Sequence, residues 1–241
     1  MISRTYVTLT LLLVLPYNSI AQVYTYLPEI DGDLENWHNS IAKNLKPPFM
    51  QGSYYFIDEL EKMSASQNPF YKDNWSENGT ISYEGRIYSG INMIYNISKD
   101  VLLIWSYEMS KNNIKSLLIN QTKIDSFNVH NEMFLRHDLA EIGVEGFYRK
   151  VMKGRHLSCF AKEKKTGELK DSRYEYRYDR QYLIKFKNEI YKYRGMSTIY
   201  KILPNHKKQI KKYMRQEGIV MRKKNEVLLK NILSYCDNIV L

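Results

Sequence analysis

Between Thr80 and Arg194 the chain is a succession of short apolar or alternating runs. Only a few polar residues, such as "SKD", "KNN", "QTK" and "KN", separate many of them. This brevity restricts the fold more than any other feature. Parallel strands need a crossover of about a dozen residues or more, so runs joined by such links must pair antiparallel with their neighbours. In "GRIYSGINMIYNIS" (85–98), Ile87, Ile91, Met93, Tyr95 and Ile97 fall on one face and Tyr88, Asn92 and Asn96 on the other, the period of a half-buried strand. "VLLIWSY", "IKSLLIN" and "IDSFNV" continue the series. "FYRKVM" and "RHLSCFAK" flank Lys153-Gly154, a hairpin signal in which Gly is available for positive φ. After a polar loop, "EKKTGELKD", come "SRYEYRY", "YLIKF" and "EIYKYR". About nine such strands rarely stay flat, so the expected fold is mainly β (α+β): an antiparallel meander forming a curled sheet, half-barrel or barrel.

The C-terminal part changes period. In "HKKQIKKYMRQ", His206, Ile210, Tyr213 and Met214 share one helical face, while Lys207, Lys208, Lys211, Lys212 and Arg215 occupy the other. Pro204 suits a first turn and Gly218 a stop. "NEVLLKNILSYCDNI" predicts a second helix with Val227, Leu228, Ile232, Tyr235, Cys236 and Ile239 facing inward. Two helices of this kind are expected to pack on the sheet. The organisation read from the sequence is a signal peptide (1–21), a helix and loop segment (22–79, with Asp33 as an N-cap in "DGDLENWHNSIAKNL"), an antiparallel β domain (80–200) and a basic helical pair (201–241).

The first 21 residues carry Arg4, the apolar "YVTLTLLLVL" and the small residues of "SIA", the three parts of an export signal, with cleavage after Ala21. Pro16 interrupts the apolar run, which is too short to span a bilayer, and no later stretch is long and apolar enough for a transmembrane helix. Export makes nucleic acid an unsuitable partner for the basic helix, and no nucleic-acid-binding module accompanies it. Charge is unevenly spread: residues 1–150 hold 13 Lys and Arg against 17 Asp and Glu, residues 151–241 hold 23 against 9. The basic half therefore suits the acidic half, a partner, or an anionic surface such as anionic lipid or lipopolysaccharide. Lys207, Lys208, Lys211, Lys212 and Arg215 are the candidate contacts.

Catalytic signatures are absent from the sequence: it has no nucleophile elbow, zinc-protease helix, phosphate loop or dinucleotide fingerprint. His130 and His137, seven apart with Glu132 and Asp138 nearby, could gather a metal, but in a turn such spacing is the pattern of ordinary surface histidines; Asp58/Glu59 and Asp31/Asp33 could be acid–base couples, but such pairs are common in loops and caps. No catalytic residue, cofactor or metal ligand is assigned. Cys159 and Cys236 both fall on core-facing positions, and spacing alone leaves free thiols and a disulfide open. "SRYEYRYDRQY" sets Tyr174, Tyr176 and Tyr178 on one strand face against Arg173, Glu175, Arg177 and Asp179 on the other. It reads either as a Tyr-lined inner sheet face or as an aromatic platform for a sugar or lipid headgroup, with Arg177 as anion clamp.

The run "NPFYKDNWSENGTISYEGRIYSGINMIYNISKDVLL" through "EGFYRKVMKGRHL", closing with "ILPNHKKQIKKYMRQEG" and "NEVLLKNILSYCDNI", resembles an uncharacterised family of exported Bacteroidota envelope proteins. The resemblance implies a Gram-negative envelope location and brings no assigned activity; the expected compartment is the periplasm or the outer-membrane periphery, and the expected role is non-enzymatic, binding a ligand or partner protein through the curved β-sheet or the basic surface. An apolar-ligand carrier and a hydrolase of envelope polymers are the competing expectations. Mass spectrometry of the mature protein from its native host is expected to find Gln22 at the N-terminus; an intact Met1 in a cytosolic fraction would overturn the export reading.

Overall fold

The computed structural model describes residues 48–55, 68–105, 116–136, 145–221 and 225–240, all within the unit Pro47–Leu241. Asp33, Asp31, Asp58, Glu59, His137 and Asp138 lie outside these residues. Eleven strands form one antiparallel sheet: β1 (Ser53–Tyr55), β2 (Ser76–Tyr83), β3 (Arg86–Asn96), β4 (Val101–Trp105), β5 (Ser116–Leu118), β6 (Ile124–Val129), β7 (Glu132–Arg136), β8 (Phe147–Lys153), β9 (Leu157–Lys170), β10 (Arg173–Phe186) and β11 (Glu189–Lys192). Their order is β1-β5-β4-β3-β2-β6-β7-β8-β9-β10-β11, so the sheet is open, and two meanders meet where β2 pairs with β6.

That junction forces the curl. Only five residues, 119–123, connect β5 to β6, yet β4, β3 and β2 lie between those strands. Four strand spacings across a flat sheet are about 19 Å. A link that includes a 3₁₀ turn reaches only about 16 Å. The sheet bends to shorten the chord, and Gln121 bridges the mouth. Its amide accepts from Leu102 N at 2.7 Å and donates to Leu102 O at 3.0 Å, standing in for a strand neighbour. Arg136 Nη1 then donates to Gln121 O at 2.6 Å.

The concave face buries two cores. The first is filled by aromatic rings: Phe127 stacks on Phe134 at 5.0 Å, and Tyr95 and Phe147 meet them edge-on. Ile81, Met93, Leu102, Ile104, Ile124 and Val129 surround them. The second lies over β8–β11 and is closed by α1 (Met196–Ile202), α2 (Lys207–Gln216) and α3 (Glu226–Ile239). One helix, α1, thus precedes the two expected. Its Ile199 and Ile202 bury beside Ile210 of α2, and Gly218, with φ of 62°, ends α2 as Ile219 N bonds Met214 O at 2.8 Å. Cys159 and Cys236 are both buried in this core as free thiols, and burial pushes each up to about 12.

Several local expectations shift. Gly90 adopts φ of 72° inside β3, where the β2 register skips from Ser89 to Ile91. This one-residue bulge reverses the faces before it: Tyr88 packs inward against Phe49 at 4.9 Å, and Ile87 is 74% exposed. The segment expected as a loop, "EKKTGELKD", is strand through Lys170; it pairs with a β10 that unites "SRYEYRY" and "YLIKF". The turn is Asp171-Ser172, both at positive φ, which matches the twist of a two-residue hairpin. "EMFLR" is a strand, β7, and β1 adds an edge from the segment read as helix and loop.

Gly154 is not at positive φ; it is required for space, since a Cβ there would lie 2.3 Å from the Asp237 carboxylate. That carboxylate, from α3, accepts from Arg155 N, His156 N and Leu157 N at 2.7–2.8 Å and pins the β8–β9 turn to the helix.

In α3 the inward face is Leu229, Ile232, Leu233 and Cys236, while Val227 is 68% exposed. Asn225 caps this helix, its side chain accepting from Leu228 N at 3.2 Å. Ile210→Asp is expected to cost about 3 kcal/mol or more in urea denaturation, because it places a charge in the second core. Val227→Asp is expected to stay within about 0.5 kcal/mol. The reverse ranking would mean that the helix faces are misassigned.

Candidate functional site

Three features of the second half of the sheet carry charge or aromatic surface: a buried ionic cluster, a tyrosine-bearing ribbon and a cationic helical face. The cluster sits on the concave side at the seam of the two cores. Arg149 pairs across with Phe134 of the first core and with Ala161 of the second, and is only 2% exposed. A guanidinium so buried needs its donors filled. Its Nε donates to Glu163 Oε1 at 2.8 Å, and its Nη1 donates to Glu226 Oε1 at 2.9 Å and to Glu132 Oε2 at 3.2 Å. Arg180 lies opposite Glu163 on β10; it donates to Glu163 Oε2 at 2.9 Å and to Glu226 Oε2 at 3.1 Å. Tyr178 and Tyr182 donate to Glu163 and Glu226 respectively. Lys72, 3.8 Å from Glu132, brings the cluster to three cations and three carboxylates.

Burial opposes the charged form of Arg149, yet the carboxylates of Glu226 and Glu163 outweigh it and hold the pKa above its ordinary value. Burial likewise opposes ionisation of Glu226, but the bonds from Arg149 and Tyr182 keep its carboxyl below the usual range. For Asp237, burial is outweighed by the three backbone N–H donors, with the same result. These groups are locked in one protonation state at neutral pH. That arrangement joins sheet to helix and does not suit proton transfer. Nothing in the spacing of the sequence pointed to it, since its members lie as far apart as Lys72 and Glu226.

The ribbon is the outer part of β9 and β10. There β9 and β10 pair only with each other, because β8 reaches β9 no further than Ala161 and β11 reaches β10 no further than Leu183. Tyr174, Tyr176 and Tyr178 share its face with Leu169 and Gly167. The first two rings stack at 6.0 Å, and Tyr176 covers Gly167, whose absent Cβ would lie 2.6 Å from the ring. Tyr178 is committed to Glu163, with the Arg180 guanidinium 5.5 Å from its ring centre. By strand alternation Arg177 belongs to the opposite face and pairs with Thr166. The guanidinium on the tyrosine face is that of Arg180, which the sequence reading did not single out.

The helical face is the third feature. From Ile190 to Gln216 the chain carries eight Lys and Arg and no Asp or Glu. All eight, Lys207, Lys208, Lys211, Lys212 and Arg215 of α2 together with Lys192, Arg194 and Lys201, are exposed. Among the described residues none of them is paired with a carboxylate. Lys207 and Lys211 flank the Tyr200 ring at 5.6 and 5.8 Å. Opposite them, Tyr213 stacks on Tyr235 at 3.9 Å and anchors α2 to α3.

Of the histidine and acid group noted in the sequence, His130 meets Asn74 O at 3.1 Å and Glu132 is held by Arg149. No group of metal-ligating side chains occurs among the described residues, and none of their helices is long and apolar enough to cross a membrane. No family model, curated protein or solved structure matches the chain.

The lowered pKa values of Glu226 and Asp237 fix the sign of the acid response. The stability they contribute is complete above the ordinary carboxylate range of about 4 and is lost as pH falls through their depressed folded values. Urea midpoints measured from about pH 6 down to about pH 2.5 are expected to drop, and Asp237→Asn is expected to flatten the drop. Identical pH slopes for the two proteins would overturn this assignment.

Proposed function

We propose that this chain is an exported, non-catalytic protein of a Gram-negative cell envelope that docks on an anionic surface through α1 and α2. One observation carries the reading: eight exposed cations without a carboxylate partner among the described residues, six on α1 and α2 and two, Lys192 and Arg194, at the end of β11 and in the link to α1. Like charges four apart on a helix, as at Lys207/Lys211, Lys208/Lys212 and Lys211/Arg215, destabilise it by a few tenths of a kcal/mol per pair. A face that only needed solvation is better served by mixed signs. Each Lys or Arg near an anionic leaflet gains about 1 kcal/mol, so the same residues turn favourable on such a surface.

The competing readings have less support. An apolar-ligand carrier needs room inside the curl, but Tyr95, Phe127, Phe134 and Phe147 fill it with their own rings. A hydrolase with a carboxyl acid needs a raised pKa. Glu226 is lowered, and Glu132 and Glu163 are engaged by arginine.

Changing Lys207, Lys208, Lys211 and Lys212 together to Gln is expected to weaken co-sedimentation with phosphatidylglycerol-containing vesicles by about tenfold or more. Folding stability should stay within about 0.5 kcal/mol, and wild-type binding should fade as salt is raised. Undiminished vesicle binding by this variant would refute the docking face.

A further inference from the structure

The docking face has a recess. Between β11, the edge strand of the sheet, and α1 runs a groove of about 430 Å³ lined by Ile190, Tyr191, Lys192, Arg194, Ser197, Thr198 and Lys201. No carboxylate lines it. The nearby Glu189 accepts the Tyr191 hydroxyl. Helical spacing puts Ser197 and Lys201 one turn apart, with Thr198 beside them, while Ile199 and Ile202 turn to the core. Thr198 Oγ1 accepts from Arg194 N at 3.1 Å, which leaves its own proton free to donate. The side chains of Arg194, Lys192, Lys201 and Ser197 have no partner among the described residues. Three cations and two hydroxyls, all donors, therefore converge on one open recess.

We infer that this groove is a recognition subsite for a phosphomonoester carried on a lipid of the anionic surface, an inference that rests on the docking reading above. The donor set selects this chemistry. A phosphomonoester carries a charge of about −1.5 to −2 and three terminal oxygens, enough for a bidentate guanidinium, two ammonium groups and a hydroxyl. A phosphodiester offers a single charge and two free oxygens, and leaves part of the set unused. The lipid source follows from the neighbouring cations. Tyr200 of α1 carries Lys207 and Lys211 of α2 over its ring, so the α2 lysines lie against the same helix that lines the groove through Ser197, Thr198 and Lys201. Those lysines add affinity only for a phosphate presented on an extended anionic surface.

The test uses the full chain and phosphatidylcholine vesicles doped with phosphatidic acid, a monoester, or phosphatidylglycerol, a diester, at matched surface charge. Wild type is expected to bind the phosphatidic acid vesicles more tightly by about fivefold or more. The charge-preserving double variant Arg194→Lys/Ser197→Ala removes the bidentate fork and one exposed hydroxyl. It is expected to lose the preference, read as the ratio of its binding to phosphatidic acid and phosphatidylglycerol vesicles. Equal wild-type binding to both vesicles would overturn the subsite and leave the docking face standing. Binding to neither would remove the docking face and the subsite together. A preference that survives in the double variant would place phosphate recognition elsewhere. Inorganic phosphate that binds as tightly as the phosphatidic acid vesicles would overturn the lipid source.

Discussion

The buried guanidinium of Arg149 is the constraint around which the rest of the structure is arranged. It lies where the aromatic core meets the helix-covered core, and it faces inward where an apolar residue would ordinarily stand. Glu163 on β9, Glu132 on β7 and Glu226 at the start of α3 must all reach it, which fixes those three elements relative to one another. Such a cluster contributes little net stability over an apolar replacement, but losing one partner costs about 3–5 kcal/mol, so it penalises every misplaced docking of α3. Asp237 adds a second point of attachment at the β8–β9 turn, and α3 is thereby held at both ends by carboxylates.

Curvature is the second constraint. The short β5–β6 link and the Gln121 bridge bend the sheet where the two meanders meet, and the seven strands β2–β8 contribute to one aromatic core. The β8–β11 part of the second meander is covered by helices instead. The two solutions divide the molecule's surfaces by role. The curled half spends its concavity on its own core, and the open half presents to solvent the helices that carry the unpaired cations.

Much of this was legible in the sequence where the signal is local. Two- and three-residue links dictate antiparallel pairing whatever the partners are, and "IDSFNV" appears as a strand with the bounds read from its pattern. The amphipathic spacing of residues 206–216 separates buried Ile210 from exposed lysines because one helix turn is enough to do so. Other features carried a signal that was misread. Gly90 inside an alternating run is the mark of a bulge, and one extra residue there exchanges Ile87 for Tyr88 on the inner face. The charges of "EKKTGELKD" resemble a loop, yet a two-stranded ribbon with both faces near water tolerates them in strand.

By itself, the sequence determined the antiparallel sheet, the C-terminal helices and the two faces of α2, since each follows from a period or a spacing within a few turns of chain. Tertiary structure alone decided which carboxylate meets which guanidinium, because Glu132, Glu163, Arg180 and Glu226 come together only after four elements have paired and packed. It decided the strand order as well: β6 could have continued beside β5, and it lies instead against β2, with a five-residue link that the sheet must curl to accommodate. Ion pairing and chain closure act between residues close in space and distant in sequence, and no local pattern records them.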